Sequence, residues 1–202
     1  MIKVIVFDLG NTTVFFDHMS FCKKLAKYSS LPAKKIYKKV YGTDLETAFV
    51  MGKISPKEFY KEICRRTKAK ITYKKFKEIF DVFTKKNDPV IKLIKKLRKR
   101  YKLLLLSNTN ILHFNDARKR FSNPLLQNFN SYILSYKIMM KKPDKNIYQH
   151  TIKIAKAKPS EIVFIDDIKK NIVGAKKLGI LGIHYTSAKK LKKDLKRLDV
   201  IF

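Results

Sequence analysis

Residues 2–10, Ile2-Lys3-Val4-Ile5-Val6-Phe7-Asp8-Leu9-Gly10, decide the fold. The run to Phe7 is short, largely β-branched and apolar, and it stops at an acid and a glycine. That is the pattern of a buried strand whose carboxyl end carries a polar residue. Other runs repeat it. Lys102–Leu106 (KLLLL) stops at Ser107-Asn108, and Ile162–Ile165 (IVFI) stops at Asp166-Asp167. Weaker strand patterns lie near Ser131–Leu134 and Gly182–Tyr185.

Helical periodicity fills the intervals. A helix is expected from a cap-plus-proline start at Asp88-Pro89 to about Arg100, and another near Leu112–Arg120. A third is capped by Asp144 and carries Ile147, Tyr148, Thr151, Ile152 and Ala155; others run from about Asn171 to Leu178 and Lys189 to Leu198. Alternating strands and helices predict an α/β fold, a doubly wound parallel sheet of Rossmann-like type, with ligands beyond the carboxyl ends of the strands. Between about Phe16 and Lys86 the pattern turns helical, with breaks at Ser29–Pro32, Gly42–Asp44 and Gly52–Pro56. The expected organisation is therefore a core of residues 1–15 and 87–202, with a small all-helical block, 16–86, inserted after the first strand.

The 202-residue chain is 45% hydrophobic, enough for a real core despite 31% charged residues. No apolar run approaches the roughly 20 residues of a membrane span, and the opening stretch, a short apolar run interrupted by Asp8, is not expected to be a signal peptide. Cys22 and Cys64 have no metal-ligand or redox spacing and read as packed thiols of a cytoplasmic protein. Net charge is +31, carried mainly by lysines between apolar positions at helical spacing, the pattern of solvated helix faces. Such a field also attracts anionic metabolites or nucleic acid; lysines that spread rather than cluster do not favour the latter.

The strand-end residues make one coherent site. Asp8, Asp166 and Asp167 would repel one another unless a cation lay between them. Hard oxygen ligands suit magnesium, which binds through one or two carboxylates and a substrate phosphate. Ser107 and the amides after it can donate to an anion, and Lys142, just before Pro143-Asp144, supplies positive charge.

Four stretches in order resemble the motifs of the haloacid dehalogenase-like hydrolases: VIVFDLGNTTVFFD from Val4, LLLLSNTN from Leu103, SYKIMMKKPDKNIY from Ser135 and VFIDDIKKNIVGAKKLGI from Val163. The resemblance implies a helical cap over a Rossmann-like core and a magnesium-dependent phosphatase for a small phosphorylated metabolite. It implies that Asp8 attacks phosphorus to form an aspartyl-phosphate while Lys142 offsets the charge. Ser107 and the Asn108 amide would hold the phosphate oxygens. Asp8, Asp166, Asp167 and the Gly10 carbonyl would hold magnesium, and Gly174, Ala175 and Gly179 would permit close helix packing.

Two departures matter. Most such phosphatases carry a general acid at the position of Gly10, a group typically worth 10²–10⁴-fold. A good leaving group, a proton donor elsewhere (Asp17, His18 or His113), or a slow or inactive enzyme would each account for its absence. The third motif has Met139 where glycine is usual, which is expected to alter the loop bearing Lys142. Asp-Leu-Gly-Asn, Ser-Asn-Thr-Asn-x-Leu-His and Lys-Pro-x-x-x-Ile-Tyr-Gln-His resemble the α-glucose-1-phosphate phosphatase branch, whose anomeric leaving group fits the missing acid. Two other readings compete. A metal-free dehalogenase is disfavoured by the paired acids. A non-catalytic protein binding a polyanion such as nucleic acid is the alternative that the charge motivates.

Overall fold

The structure, a computed structural model, describes residues 1–121 and 125–202. The chain opens with β1 (Val4–Phe7) and β2 (Val14–Phe16). Five helices follow: α1 (His18–Ala26), α2 (Ala33–Val40), α3 (Asp44–Val50), α4 (Pro56–Thr67) and α5 (Tyr73–Ile79). Next come β3 (Phe83–Lys86), α6 (Asp88–Leu97), β4 (Lys102–Ser107), α7 (Ile111–Phe121), β5 (Ser131–Leu134) and the short α8 (Ser135–Ile138). The chain closes with α9 (Lys145–Ala155), β6 (Ile162–Asp166), α10 (Lys169–Lys176), β7 (Leu181–His184) and α11 (Ala188–Lys196).

Five parallel strands pair in the order β5-β4-β1-β6-β7. Successive side chains of a strand face opposite sides, and here both sides are buried. Ile5, Phe7, Leu103, Leu105, Val163 and Ile165 enter one apolar cluster with α6, α7 and α11. Val4, Val6, Leu104, Leu106, Ile162 and Phe164 enter another with α9 and α10. Burial on both faces is why these strands read as continuous apolar runs rather than alternating ones.

α1–α5 share a third cluster, including Phe21, Ile36, Phe49, Phe59, Ile63, Phe76 and Phe80. Helix caps form at two of the breaks in this block. Thr43 caps α3, and Ser55 caps α4 with Glu58 completing a reciprocal capping box and Pro56 in the first turn. The inserted block is not helical to its end, however. Phe83–Lys86 is a strand, antiparallel to β2 with Val14 opposite Lys86. Only Phe83 of those four residues is buried. A single buried side chain gives no period, and the partner strand is distant in sequence, so the local pattern could not reveal the pairing. Asp88 also proves to be the first residue of α6, with Asn87 at the cap position. Asn87 Nδ2 instead donates to the Thr12 carbonyl at 2.8 Å and to the Tyr185 hydroxyl at 2.6 Å. Asp144 does stand at the cap position of α9, without a capping hydrogen bond from its side chain.

Candidate active site

The sheet register brings the strand-end residues together. Phe7 lies level with Leu105 on one side and Ile165 on the other, so Asp8 emerges beside Leu106 and Asp166. The Asp8 N–H donates to the Ile165 carbonyl at 2.9 Å. β1 stands where the chain turns back from β4 and β5 to β6 and β7, the switch point at which such sheets bind ligands.

Lys142 arrives from the loop after α8 and is 4% exposed, a state a lysine tolerates only when paired. Its Nζ donates to Asp8 Oδ1 at 2.6 Å, Asp166 Oδ2 at 2.7 Å and the Leu106 carbonyl at 3.0 Å. Burial works against its charge, but the two carboxylates outweigh that and hold its pKa above the ordinary lysine value. Asn108 fixes the loop in both directions. Its Oδ1 accepts from the Lys142 N–H at 2.8 Å, and its Nδ2 donates to the Lys142 carbonyl at 2.9 Å. With that side chain committed, what Asn108 can offer an anion is its main-chain amide.

Met139 takes a left-handed conformation, φ 52° and ψ 32°, at the end of α8, and its side chain points to solvent. Glycine would adopt it without the steric cost, roughly 1–2 kcal/mol, that an L side chain incurs. The local strain does not prevent Lys142 from reaching its partners. Ser135, first in the same motif, is fully buried; its Oγ accepts from the Thr109 N–H at 2.9 Å and donates to the Val50 carbonyl of α3 at 2.7 Å.

Asp8, Asp166 and Asp167 each bring an oxygen within 4.8 Å of the others. Burial, above all, pushes the Asp8 carboxyl up to about 7; Lys142 pulls it back and Asp166 and Asp167 push it further. Asp167 is also raised, by burial and then by Asp166. Three carboxylates against one ammonium leave a negative excess that a divalent cation fits. Asn171, which lies within the fourth motif, joins the site in a role its position in the sequence does not reveal. Its Nδ2 donates to both Asp166 oxygens, at 3.0 and 3.1 Å, and its buried Oδ1 has no partner among the described residues. The Gly10 carbonyl already accepts from the Thr12 N–H at 2.6 Å, leaving one lone pair for a cation.

Position 10 explains its own glycine. A Cβ there would lie 2.4 Å from Phe16 Cε1 and 2.9 Å from Cδ1. The Phe16 ring therefore occupies the space a side chain at this position would need. The glycines of the fourth motif are also spatial. A Cβ on Gly174 would sit 2.9 Å from both the Pro143 carbonyl oxygen and Tyr148 Cε2, and Gly179 has φ +79°.

A cavity of about 80 Å³ adjoins this centre. Leu9, Gly10, Ser107 and Asn108, at the ends of β1 and β4, line one wall; His18, Tyr41, Glu46, Phe49 and Val50 of the helical block line another. Of the three proton donors considered from the sequence, His18 and His113 line it, whereas Asp17 is exposed and caps α1 by accepting from the Met19 N–H at 2.8 Å.

Residues 2–179 match the family model of the haloacid dehalogenase-like hydrolases. The chain belongs to this family. It is 32% identical over 184 residues to the D-ribitol-5-phosphate phosphatase of Bacteroides thetaiotaomicron, covering 89% of each protein. A solved family enzyme from the same species, in complex with magnesium and inorganic phosphate, superposes with a TM-score of 0.83 at 26% identity over 92% of this chain and 95% of that one. The solved structure of a predicted HAD-like family hydrolase from Porphyromonas gingivalis superposes with a TM-score of 0.85 at 25% identity over the whole of both chains.

Proposed function

We propose that this protein is a magnesium-dependent phosphatase that transfers the phosphoryl group of a small sugar or polyol phosphate to Asp8 and then to water. The observation that carries the reading is the buried Asp8–Lys142–Asp166 triad with Asp167 beside it. A metal-free dehalogenase would not need to gather three carboxylates. The relative named for D-ribitol 5-phosphate and the neighbour holding magnesium and phosphate support the substrate class and the metal.

In this reading an Asp8 carboxylate oxygen attacks phosphorus in line with the ester oxygen, the P–O ester bond breaks with its electron pair staying on the ester oxygen, and the leaving alkoxide takes a proton from water. Water then attacks the aspartyl-phosphate, releasing phosphate and restoring Asp8. Ser107 and the Asn108 amide hold the non-bridging oxygens, and Lys142 offsets charge on nucleophile and phosphate. Magnesium, held by Asp8, Asp166, Asp167 and the Gly10 carbonyl, supplies charge neutralisation at the transferring group. Residues 16–86 act as the cap, closing over the core to exclude water and to contact the alcohol. The lysines of α2 and α11 stand on exposed faces opposite buried Ile36, Val40, Leu191 and Leu195, as on any solvated amphipathic helix, so they need no polyanion to explain them.

A panel of phosphate esters with magnesium tests the substrate class. Open-chain polyol phosphates and sugar phosphates should exceed nucleotides in kcat/KM by about tenfold or more, and preference for sugar 1-phosphates over 6-phosphates would point to the anomeric branch. A panel on which nucleotides are the best substrates overturns the sugar or polyol assignment.

A further inference from the structure

The cavity beside the phosphate site is walled mainly by aromatic and aliphatic side chains, yet three buried polar atoms of its lining residues have no hydrogen-bond partner among the described residues: His18 Nδ1, Tyr41 Oη and His113 Nε2. An unmet buried polar group is costly, and folded proteins keep few of them. Three around one cavity call for an occupant that satisfies them.

Their surroundings define what that occupant is. The His113 N–H of the main chain donates to Asn110 Oδ1 at 3.0 Å, which fixes the amide so that Asn110 Nδ2 faces His113 Nδ1, also at 3.0 Å. Nδ1 therefore accepts, and the proton of the neutral ring sits on Nε2, an unused donor. Stacking on Phe80, 4.4 Å between centroids, holds the ring in place. His18 is packed between Phe16 at 4.7 Å and Tyr41 at 4.0 Å, so it and the phenol form one rigid unit. Burial keeps His18 at about 4 and His113 at about 3, so both rings are neutral near pH 7 and exert no full charge on a second anionic group. Donors and acceptors on neutral rings suit hydroxyl groups, each of which both donates and accepts.

We propose that His18, Tyr41 and His113 form the specificity surface for the leaving alcohol, reading the hydroxyls of a short, uncharged, open-chain polyol while Phe49 and Phe80 pack against its carbon chain. This rests on the phosphatase reading and adds the residues that choose its substrate. A site built to bond hydroxyls discriminates strongly against an analogue that lacks them, because its own polar groups are then left unpaired.

The test compares two esters of equal chain length, a pentitol phosphate and pentyl phosphate, hydrolysed by the magnesium-loaded full-length protein. The wild type should favour the pentitol ester by about a hundredfold or more in kcat/KM. Tyr41→Phe, His18→Phe and His113→Phe should each lower that ratio about tenfold or more. Tyr60→Phe removes a hydroxyl that bonds the Ile71 carbonyl inside the helical block. It should leave the ratio unchanged, separating recognition from general loosening of the block. A wild-type ratio near one, a ratio insensitive to the three substitutions, or an equal fall in Tyr60→Phe overturns the inference while the phosphatase reading stands. No hydrolysis of either ester by folded wild type ends both.

Discussion

Replacing Lys142 with methionine keeps the length of the side chain and removes the cation that, among the described residues, contacts both Asp8 and Asp166. At an effective dielectric of about 20, an ion pair at these distances carries roughly 6 kcal/mol of Coulomb attraction before desolvation. Most of that is spent in bringing the charges out of water, so the net value of the lysine is smaller. What the substitution exposes is the residue of that balance: two buried carboxylates facing each other with no counter-charge. Breaking one partner out of a buried network of this kind costs about 3–5 kcal/mol. In a domain of this size each kcal/mol lowers Tm by about 2–4 °C, so Lys142→Met should melt about 6–20 °C below the wild type in metal-free buffer. Magnesium should recover more of that loss in the variant than it adds to the wild type, because the dication finds an unneutralised pair of acids. Thermal unfolding by circular dichroism, with and without magnesium, reads both effects. A variant that melts within about 2 °C of the wild type without metal, or that magnesium leaves unmoved, would refute the charge balance described here.

Gly174→Ala should lower stability by about 1–3 kcal/mol and kcat together, because its Cβ presses on the Pro143 carbonyl adjoining Lys142; a denaturant midpoint and a turnover rate equal to wild type would contradict it. Gly10→Asp should destabilise by a similar amount through its clash with Phe16, and Phe16→Leu should relieve it, so a double-mutant cycle showing additivity would be the contrary result. His18 and His113, held near 4 and 3 against an ordinary 6.5, bind fewer protons folded than unfolded. Their contribution to stability is complete above pH 6.5 and is lost as pH falls toward those values, on the order of 3 kcal/mol for His18. Asp8, raised toward 7, acts in the opposite sense, so the measurement is the difference in acid sensitivity between wild type and the His18→Phe/His113→Phe double variant, with equal slopes counting against the argument.

The parallel sheet was legible because its strands are short apolar runs ending in polar residues, and burial on both faces writes that pattern directly into the chain. Asp8, Ser107, Lys142, Asp166 and Asp167 were legible for a related reason: each stands at a strand end or in a motif that topology delivers to one edge. β3 was not, since Phe83 alone marks it and its pairing with Val14–Phe16 crosses the whole helical block. The spatial reason for Gly10 was also hidden, because the Phe16 ring that fills its side-chain space reaches back through the turn between β1 and β2. His113 closes the second motif and His18 stands among the candidate proton donors, but Tyr41 belongs to no motif and no period links the three. They meet only because α1, the residue after α2, and α7 converge over the carboxyl end of the sheet. Asn171 was visible as part of a motif but not as the residue that binds both oxygens of Asp166.

The central claim is that Asp8 carries the phosphoryl group, and the most direct measurement is to look for it there. The magnesium-loaded protein is mixed with a phosphate ester, quenched in acid during turnover, and its phosphorylated peptide identified by mass. One phosphate on Asp8 is expected, dependent on magnesium and absent in Asp8→Asn. Turnover with the phosphate on another residue, or continued turnover by Asp8→Asn, would contradict it.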